Sequence, residues 1–130
     1  MAHQRFPDGT EAAGGYARAV KAGPMVFVAG TTSLNAAGEV QGADAYEQTR
    51  ITYEKIGAAL AKAGAKWSDV TRITAYLTDM DQADGFSRAH VERFPGKEVP
   101  AAALIGIPAL LKPGLLIEIE ATAVIEGESW

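Results

Sequence analysis

The sequence predicts an α+β domain in which two helices pack on one face of a mixed sheet. Three observations indicate this fold. The chain has 130 residues, of which 48% are hydrophobic, so one domain over residues 1–130 can bury a core. Two segments carry apolar residues at helical spacing, and several others alternate with a period of two. Glycine and proline separate these segments at intervals typical of a compact domain.

The first part of the chain predicts a hairpin. Tyr16–Lys21 and Met25–Ala29 are apolar enough for two strands, and the glycine and proline between them form a turn signal. A short strand near Gln4–Phe6 precedes this hairpin. The glycine-rich segment 30–43 predicts a loop, with a further short strand around Glu39–Val40.

The strongest helix signal runs from Asp44 to Ala63. Asp44 can cap the first turn, and Glu47 completes a capping-box-like pair. One face then carries a stripe at spacings of 4, 3, 4 and 3, formed by Thr49, Tyr53, Ile56, Leu60 and Ala63. Gly64 ends this helix. A second helix is predicted over Gln82–Phe94, capped near Asp81.

Three further strands complete the pattern, at Thr71–Thr78, Pro100–Ile107 and Leu115–Ile125. The resulting order is β-β-α-β-α-β-β, with both helices on one face of the sheet. The opposite face still carries alanine and leucine side chains among polar ones. Because a domain of this size rarely leaves such a face in water, we expect the chain to self-associate.

Composition excludes several classes of function. The chain has no cysteine, which rules out disulfides, cysteine-ligated zinc, iron–sulfur clusters and a thiol nucleophile. Its net charge of −4 argues against a polynucleotide partner. The longest apolar run, Val99–Leu111, contains two prolines and is shorter than the roughly 20 residues of a membrane helix. The N-terminal residues lack a secretory signal, so a cytoplasmic location is expected.

Two glutamates of the last strand are candidates for acid–base chemistry. Glu118 and Glu120 lie on one strand face, about 7 Å apart by strand rise. If this face is partly desolvated, one carboxyl acquires a raised pKa and can serve as acid or base. The alternative is a solvated outer face. The apolar character of the strand favours a central position in the sheet.

Tyr16 and Arg18 are predicted to lie on the same face of the first strand. A tyrosine and an arginine that point into a cleft can bind an anionic substrate, although an ordinary surface pair has the same spacing.

His90, on the second helix, can act as a general base or as a hydrogen-bond donor, or else pack half-buried with a backbone partner. Asp79, Asp81 and Asp84 lack the spacing of an EF-hand calcium site, so no metal is expected.

Seven stretches of the chain, in order, resemble the reactive-intermediate deaminase (Rid) or YjgF-like family. The matching stretches are Gly15-Tyr16, Val26–Thr31, Gln48-Thr49-Arg50, Ala63–Ala65 with Trp67–Val70, Tyr76–Met80, Pro100-Ala101 and Ile117–Ala123. The resemblance implies a chorismate-mutase-like sandwich that assembles as a homotrimer around a central barrel. It also implies a ligand cleft at each subunit boundary and hydrolysis of enamines and imines to a keto acid and ammonia, without a cofactor.

Position by position, the resemblance implies that Tyr16 lines the cleft and that Glu118 orients the water molecule that attacks the substrate. The family's carboxylate-clamping arginine is replaced by Ala102, so this chain resembles an arginine-lacking branch. A lost bidentate arginine removes about 1.5–3 kcal/mol per charged hydrogen bond. We hypothesise that Arg18 supplies a guanidinium from another direction. The remaining family positions that line the cleft correspond to Ala29, Thr31, His90 and Leu104.

Two functions therefore remain open from the sequence. The first is a hydrolase of reactive imines, enamines or related C–N bonds that uses Glu118, Tyr16 and His90. The second is a trimer that binds small molecules or acts like a chaperone without turnover. A ribonuclease activity, which this family has been credited with, is opposed by the acidic charge and by the lack of a basic, aromatic groove.

Overall fold

The computed structural model describes residues 3–7 and 14–130. Within them, two α-helices cover a six-stranded sheet. The helices are α1 (Ala45–Lys62) and α2 (Ala83–Arg93), and the strands are β1 (Gln4–Phe6), β2 (Ala19–Ala22), β3 (Met25–Thr31), β4 (Val70–Leu77), β5 (Ala101–Gly106) and β6 (Ile117–Val124). Single 3₁₀ turns, Trp67–Asp69 and Met80–Gln82, precede β4 and α2.

The sheet is mixed, as predicted, with the strand order β1-β2-β3-β6-β4-β5. Among the described strands, β4 and β5 run parallel, and the other neighbouring pairs are antiparallel. β6 therefore lies in the middle of the sheet, between β3 and β4, which confirms the central position expected for the last strand. This position brings the end of β3 beside the start of β6, where Thr31 pairs with Ile119.

The core lies between the helices and one face of the sheet. The predicted stripe of α1 is buried along its length, from Thr49 to Ala63, and it packs on alternate residues of the central strands. The largest fully buried apolar side chains are Ile56, Leu60, Ile73, Leu77, Ile117 and Ile119. The opposite face is open in the single chain, where Phe27 remains 43% exposed and Ile105 41% exposed. The predicted two-layer arrangement is confirmed.

The ends of α1 follow the sequence signals closely. Asp44 caps the helix by accepting a hydrogen bond from the Glu47 backbone N–H at 2.9 Å. The Glu47 carboxylate returns to the Ala43 N–H at 2.8 Å, one residue before the position that a capping box would use. Gly64 adopts φ +82°, a left-handed conformation that glycine reaches without a Cβ penalty.

Three predicted local features were wrong. The strand expected over Tyr16–Lys21 begins only at Ala19, because the chain turns at Gly15 (φ +76°) and Arg18 directs its side chain inward. The strand expected at Glu39–Val40 is a single bridge from Val40 to Leu34. Asp81 does not cap α2, since Asp79 accepts from the Asp81 N–H and so caps the 3₁₀ turn that precedes the helix.

No helix among the described residues is long and apolar enough to cross a membrane.

Candidate functional site

Glu118 occupies the second position of β6, on the side of the sheet away from the helices. Its carboxyl group lies directly over Gly30 near the end of β3. A Cβ added at Gly30 would stand 3.0 Å from the Glu118 carboxyl carbon and 3.1 Å from Oε2. The missing side chain at position 30 therefore makes the space in which the carboxyl group sits.

Arg18 organises the wall beside this carboxyl group. Its side chain is only 8% exposed, and Nη1 donates to the Gly30 carbonyl at 3.0 Å and to Thr31 Oγ1 at 2.7 Å. Nη2 donates to the Tyr16 hydroxyl oxygen at 3.2 Å. The predicted proximity of Tyr16 and Arg18 is thus present, although both residues precede the strand. Because Arg18 donates to the phenol oxygen, the Tyr16 O–H proton remains available to another acceptor.

Two adjoining cavities meet at this wall, and both are lined by Tyr16, Gly30, Leu111 and Glu118. The first, the mixed lobe, has a volume of about 600 Å³ and continues to Arg18, Thr32, Asn35 and Lys55 and to the apolar Leu34, Ala36 and Ala37. The second, the apolar lobe, has a volume of about 730 Å³ and continues to Ala29, Tyr76, Ile107, Ala109 and Leu110. Both volumes are in the range of small-molecule pockets. The carboxyl group of Glu118 therefore stands where a mixed and a more apolar space meet.

The surroundings of Glu118 raise the pKa of its carboxyl group above the ordinary value. Partial burial is the main cause, and the nearby charge of Glu120 adds to it, while Arg18 acts in the opposite direction. Glu120 itself is exposed and accepts a hydrogen bond from the Tyr76 hydroxyl at 2.9 Å. The two carboxylates share a strand face as predicted, but their environments differ. Only Glu118 lies at the junction of the two lobes.

His90 lies elsewhere in the chain, in an aromatic cluster between the helices. The Tyr53 hydroxyl shares a 2.6 Å hydrogen bond with His90 Nδ1, and the imidazole packs on Phe86 and Phe94. Burial lowers the pKa of His90, so the neutral imidazole is favoured. Its partner is a side chain and not the backbone group expected. Among the contacts of the described residues, none joins His90 to Glu118, and its role in a cleft stays a prediction.

The two β5 positions also lie away from Glu118 within one chain. Ala102 pairs with Ile73 and Leu104 pairs with Ala75, which places both on the helix-covered side of the sheet. Two strand spacings, about 10 Å, separate β5 from β6. The Glu118 side chain lies on the other side of the sheet, away from the helices. The structure of one chain thus brings together Tyr16, Arg18, Thr31 and Glu118, with Ala29 beside them. It leaves Ala102, Leu104 and His90 apart.

Gln48, which the sequence does not mark as a site residue, holds the start of β6. Its side chain is 1% exposed, and Nε2 donates to the carbonyls of Gly42 at 3.1 Å and Gly114 at 2.9 Å. Its Oε1 accepts from the Leu116 N–H at 2.8 Å. The sequence signal for this role is a glutamine next to the buried stripe of α1, because a polar side chain there must find hydrogen-bond partners. These bonds position the strand that carries Glu118 two residues later.

Replacement of Gly30 by alanine is expected to displace the Glu118 carboxyl group. The new methyl group would lie within 3.1 Å of two carboxyl atoms, closer than ordinary van der Waals contact. Because the side chain of Glu118 is partly exposed, it can move aside at little cost in stability. We expect the thermal midpoint to change by under about 4 °C, since a shift of that size corresponds to about 1 kcal/mol. Ligand affinity or turnover at the site should fall at least tenfold. Unchanged ligand affinity and turnover would contradict the placement of the Glu118 carboxyl group over Gly30.

Together, the α+β sandwich and the acid-bearing cleft define a small domain with a pocket on its open sheet face. Residues 7–125 match the family model described as Endoribonuclease L-PSP. The chain therefore belongs to this family, that of the Rid or YjgF-like proteins, as the sequence motifs had indicated.

Relatives and solved structures support this assignment over nearly the whole chain. A RutC family protein of Pyrococcus horikoshii is 38% identical over 114 residues, which are 87% of this chain and 89% of that protein. The Escherichia coli K12 protein named "Putative reactive intermediate deaminase TdcF" is 29% identical over 124 residues, 93% of this chain and 92% of its own. The crystal structure of Rv2704, a YjgF/YER057c/UK114 family member from Mycobacterium tuberculosis, superposes with a TM-score of 0.86 at 39% identity. This superposition covers 95% of this chain and all of that one.

Proposed function

We propose that this protein hydrolyses reactive imines, enamines or related C–N bonds, with Glu118 as the group that activates water. The observation that carries the proposal is the position of the Glu118 carboxyl group. It is partly buried, lies over Gly30 and stands within the field of Arg18. A carboxyl group whose pKa is raised above its ordinary value is a better proton acceptor than a solvated glutamate. The name of the Escherichia coli relative agrees with this chemistry.

In the proposed reaction, water bound at Glu118 attacks the carbon of the C=N bond. With the imine nitrogen protonated from solvent, Glu118 accepts a proton from this water, and a neutral carbinolamine forms. Glu118 then returns that proton to the nitrogen and accepts the proton of the carbinolamine hydroxyl as the C–N bond breaks, which releases ammonia and leaves a carbonyl compound. An enamine first takes up a proton at carbon to become the imine. Tyr16 donates its hydroxyl proton in a hydrogen bond to the substrate, while Arg18 holds the phenol and supplies positive charge.

The complete cleft is proposed to form between subunits of a cytoplasmic homotrimer. The open sheet face with its exposed Phe27 and Ile105 favours self-association, because apolar side chains gain by leaving water. In such an assembly, His90, Ala102 and Leu104 of one chain would complete the pocket around the Glu118 of its neighbour. Light scattering should give three times the 13.6 kDa mass of the chain. A stable monomer would remove the basis for this cleft.

Simple 2-imino acids are expected to be poor substrates. Ala102 stands where the family's deaminases carry a carboxylate-clamping arginine, and an unpaired carboxylate is costly to bury. The measurement couples an amino-acid oxidase, which generates 2-imino acids, to the rate of ammonia release with and without this protein. We expect little or no acceleration from wild type and a gain from Ala102→Arg. Rapid release of ammonia by wild type would contradict the expectation.

The same assay, extended to a panel of imines and enamines without a carboxylate, tests the hydrolase proposal itself. Turnover of any member that depends on Glu118 supports it. Saturable binding without turnover of the whole panel would favour the second candidate, a binding or chaperone-like trimer, which the apolar Ala102 and Leu104 also suit. RNA cleavage is not proposed, because the net charge of −4 disfavours a polyanion.

A further inference from the structure

A separate cavity lies between the two helices, and we refer to it as the helix groove. It has a volume of about 470 Å³ and shares no described lining residue with the two lobes at Glu118. Each helix contributes one positive and one negative side chain to it, which are Arg50 and Glu54 from α1 and Glu92 and Arg93 from α2. The other lining residues are Tyr53, Gly57, Trp67 and Ala89. The groove therefore combines balanced charges with an aromatic surface.

Helical spacing places these groups on facing sides of the groove. On α1 the lining residues follow the spacing i, i+3, i+4 and i+7 from Arg50, and on α2 they follow i, i+3 and i+4 from Ala89. Residues at these spacings form one stripe on a helix. Because α1 and α2 pack side by side, the two stripes border the same space.

Trp67 forms a fixed surface in the groove. Its ring makes nearly perpendicular contacts with Tyr53 and Phe94, at 5.6 and 5.4 Å between ring centroids. Gly57 leaves room for it, since a Cβ at that position would stand 3.1 Å from the indole Nε1. The Arg93 guanidinium lies over the Trp67 ring, 4.6 Å from its centroid. A guanidinium stacked on a ring in this way keeps the N–H groups at its edge for a ligand.

The charged groups of the groove are not paired with one another. Neither Arg50 nor Arg93 forms an ion pair within the described part of the chain, although Glu54 follows Arg50 by about one helical turn. Glu92 instead accepts a hydrogen bond from the Tyr46 hydroxyl at 2.6 Å. Two guanidinium groups and two carboxylates thus border one cavity, and the guanidinium groups have no carboxylate partner there.

We infer that the helix groove binds a small zwitterion of the class of the aliphatic α-amino acids. The ligand's carboxylate accepts hydrogen bonds from Arg50 and Arg93, and its ammonium group donates to Glu54 and Glu92. Its side chain packs against Trp67. An anion alone would meet the two glutamates, and a cation alone would meet the two arginines, so a ligand with both charges is favoured. The inference does not depend on the reaction proposed for Glu118.

Titration with L-leucine and two of its analogues tests the charge requirement. The chain has two tryptophans, and Trp130 is 76% exposed and does not line the groove. In a Trp130→Phe background the fluorescence therefore reports on Trp67, and it should change saturably with leucine. The analogue without the ammonium group, 4-methylpentanoate, and the analogue without the carboxylate, 3-methylbutylamine, should each bind at least about tenfold more weakly.

Substitutions on both sides of the groove test its location. Arg50→Gln and Arg93→Gln should each weaken leucine binding at least about tenfold, measured by titration calorimetry. Both side chains are exposed, so the fold should be retained. The matched control is Arg88→Gln, because Arg88 also lies on α2 over an aromatic ring, that of Tyr46 at 4.1 Å, but does not line the groove. This control should keep the affinity within about twofold.

Three results would overturn the inference: no saturable response of Trp67 to leucine, equal affinities for leucine and 4-methylpentanoate, or leucine binding that survives both arginine substitutions. A loss in Arg88→Gln as large as in Arg93→Gln would also overturn it, since the effect would then come from the overall charge of α2. None of these results bears on imine hydrolysis, which the substitution of Glu118 tests separately.

Discussion

Substitution of Glu118 by glutamine is expected to lower kcat/KM for imine hydrolysis by about a hundredfold to ten-thousandfold, the usual contribution of a positioned acid–base group. Glutamine keeps the shape of the side chain, so it still fits over Gly30, but it cannot accept a proton from water. Steady-state ammonia release from the best imine of the panel measures this loss. Activity within about threefold of wild type would remove Glu118 from the mechanism.

The matched control is Glu120→Gln, two residues along the same strand face. Glu120 lies beside Tyr76 and away from the junction of the lobes, so its loss should cost less than about tenfold. Because the charge of Glu120 contributes to the raised pKa of Glu118, this control should also move the acid limb of the pH profile to lower pH. A carboxyl base works only when deprotonated, so wild-type activity should rise with pH through a pKa above the ordinary glutamate value.

The raised pKa of Glu118 also affects the stability of the fold, and the thermodynamic linkage between proton binding and folding gives the sign of the effect. Since the pKa of Glu118 is raised in the folded state, the folded protein holds this proton more tightly than the unfolded chain. The stability contributed by this proton is complete at pH values below the pKa of Glu118 in the unfolded chain. It is lost as the pH rises through the pKa of Glu118 in the folded protein. At higher pH, Glu118→Gln should therefore be at least as stable as wild type by thermal denaturation. A variant that gains no relative stability between acid and neutral pH would contradict the direction of the shift.

Substitution of Gln48 by alanine is expected to destabilise the fold by about 2–5 kcal/mol. The change removes the partners of the Gly42 and Gly114 carbonyls and of the Leu116 N–H. Because these three groups are only partly buried, each should cost near the lower end of the roughly 1–3 kcal/mol of a buried group left without a partner. Urea denaturation measures the difference in unfolding free energy. A loss smaller than about 1 kcal/mol would show that other groups or water replace these bonds.

Gln41→Ala serves as the control for this prediction. In the part of the chain that the structure describes, the side-chain amide of Gln41 donates to the carbonyls of Val40 and Glu39, its close neighbours in the chain. It ties no distant element to the sheet, so its loss should cost under about 0.5 kcal/mol. The comparison separates the loss of a glutamine from the loss of the connection between α1 and the start of β6.

Local signals were sufficient to predict the elements of the fold. The capping residue Asp44, the buried stripe of α1 and the glycine at position 64 act within one helix, so their spacing in sequence is also their spacing in space. Alternation along β6 likewise fixed which side chains face the core. The predictions failed where a side chain forms a hydrogen bond with a residue far away in the chain, or where a neighbouring residue makes the expected bond. Arg18 donates to Thr31 and lies outside the strand, and Asp79 caps the 3₁₀ turn before α2, while Asp81 supplies the N–H that Asp79 accepts.

The amino-acid sequence by itself determined the helices, the central strand and the family, and the family resemblance indicated that Glu118 and Tyr16 belong to one cleft. It did so because periodicity, caps and motifs are properties of neighbouring residues. Only the tertiary structure decided that Gly30 vacates the space for the Glu118 carboxyl group, that Gln48 ties α1 to β6, and that His90 bonds Tyr53. These contacts join residues far apart in the chain, and their geometry follows from how the layers pack.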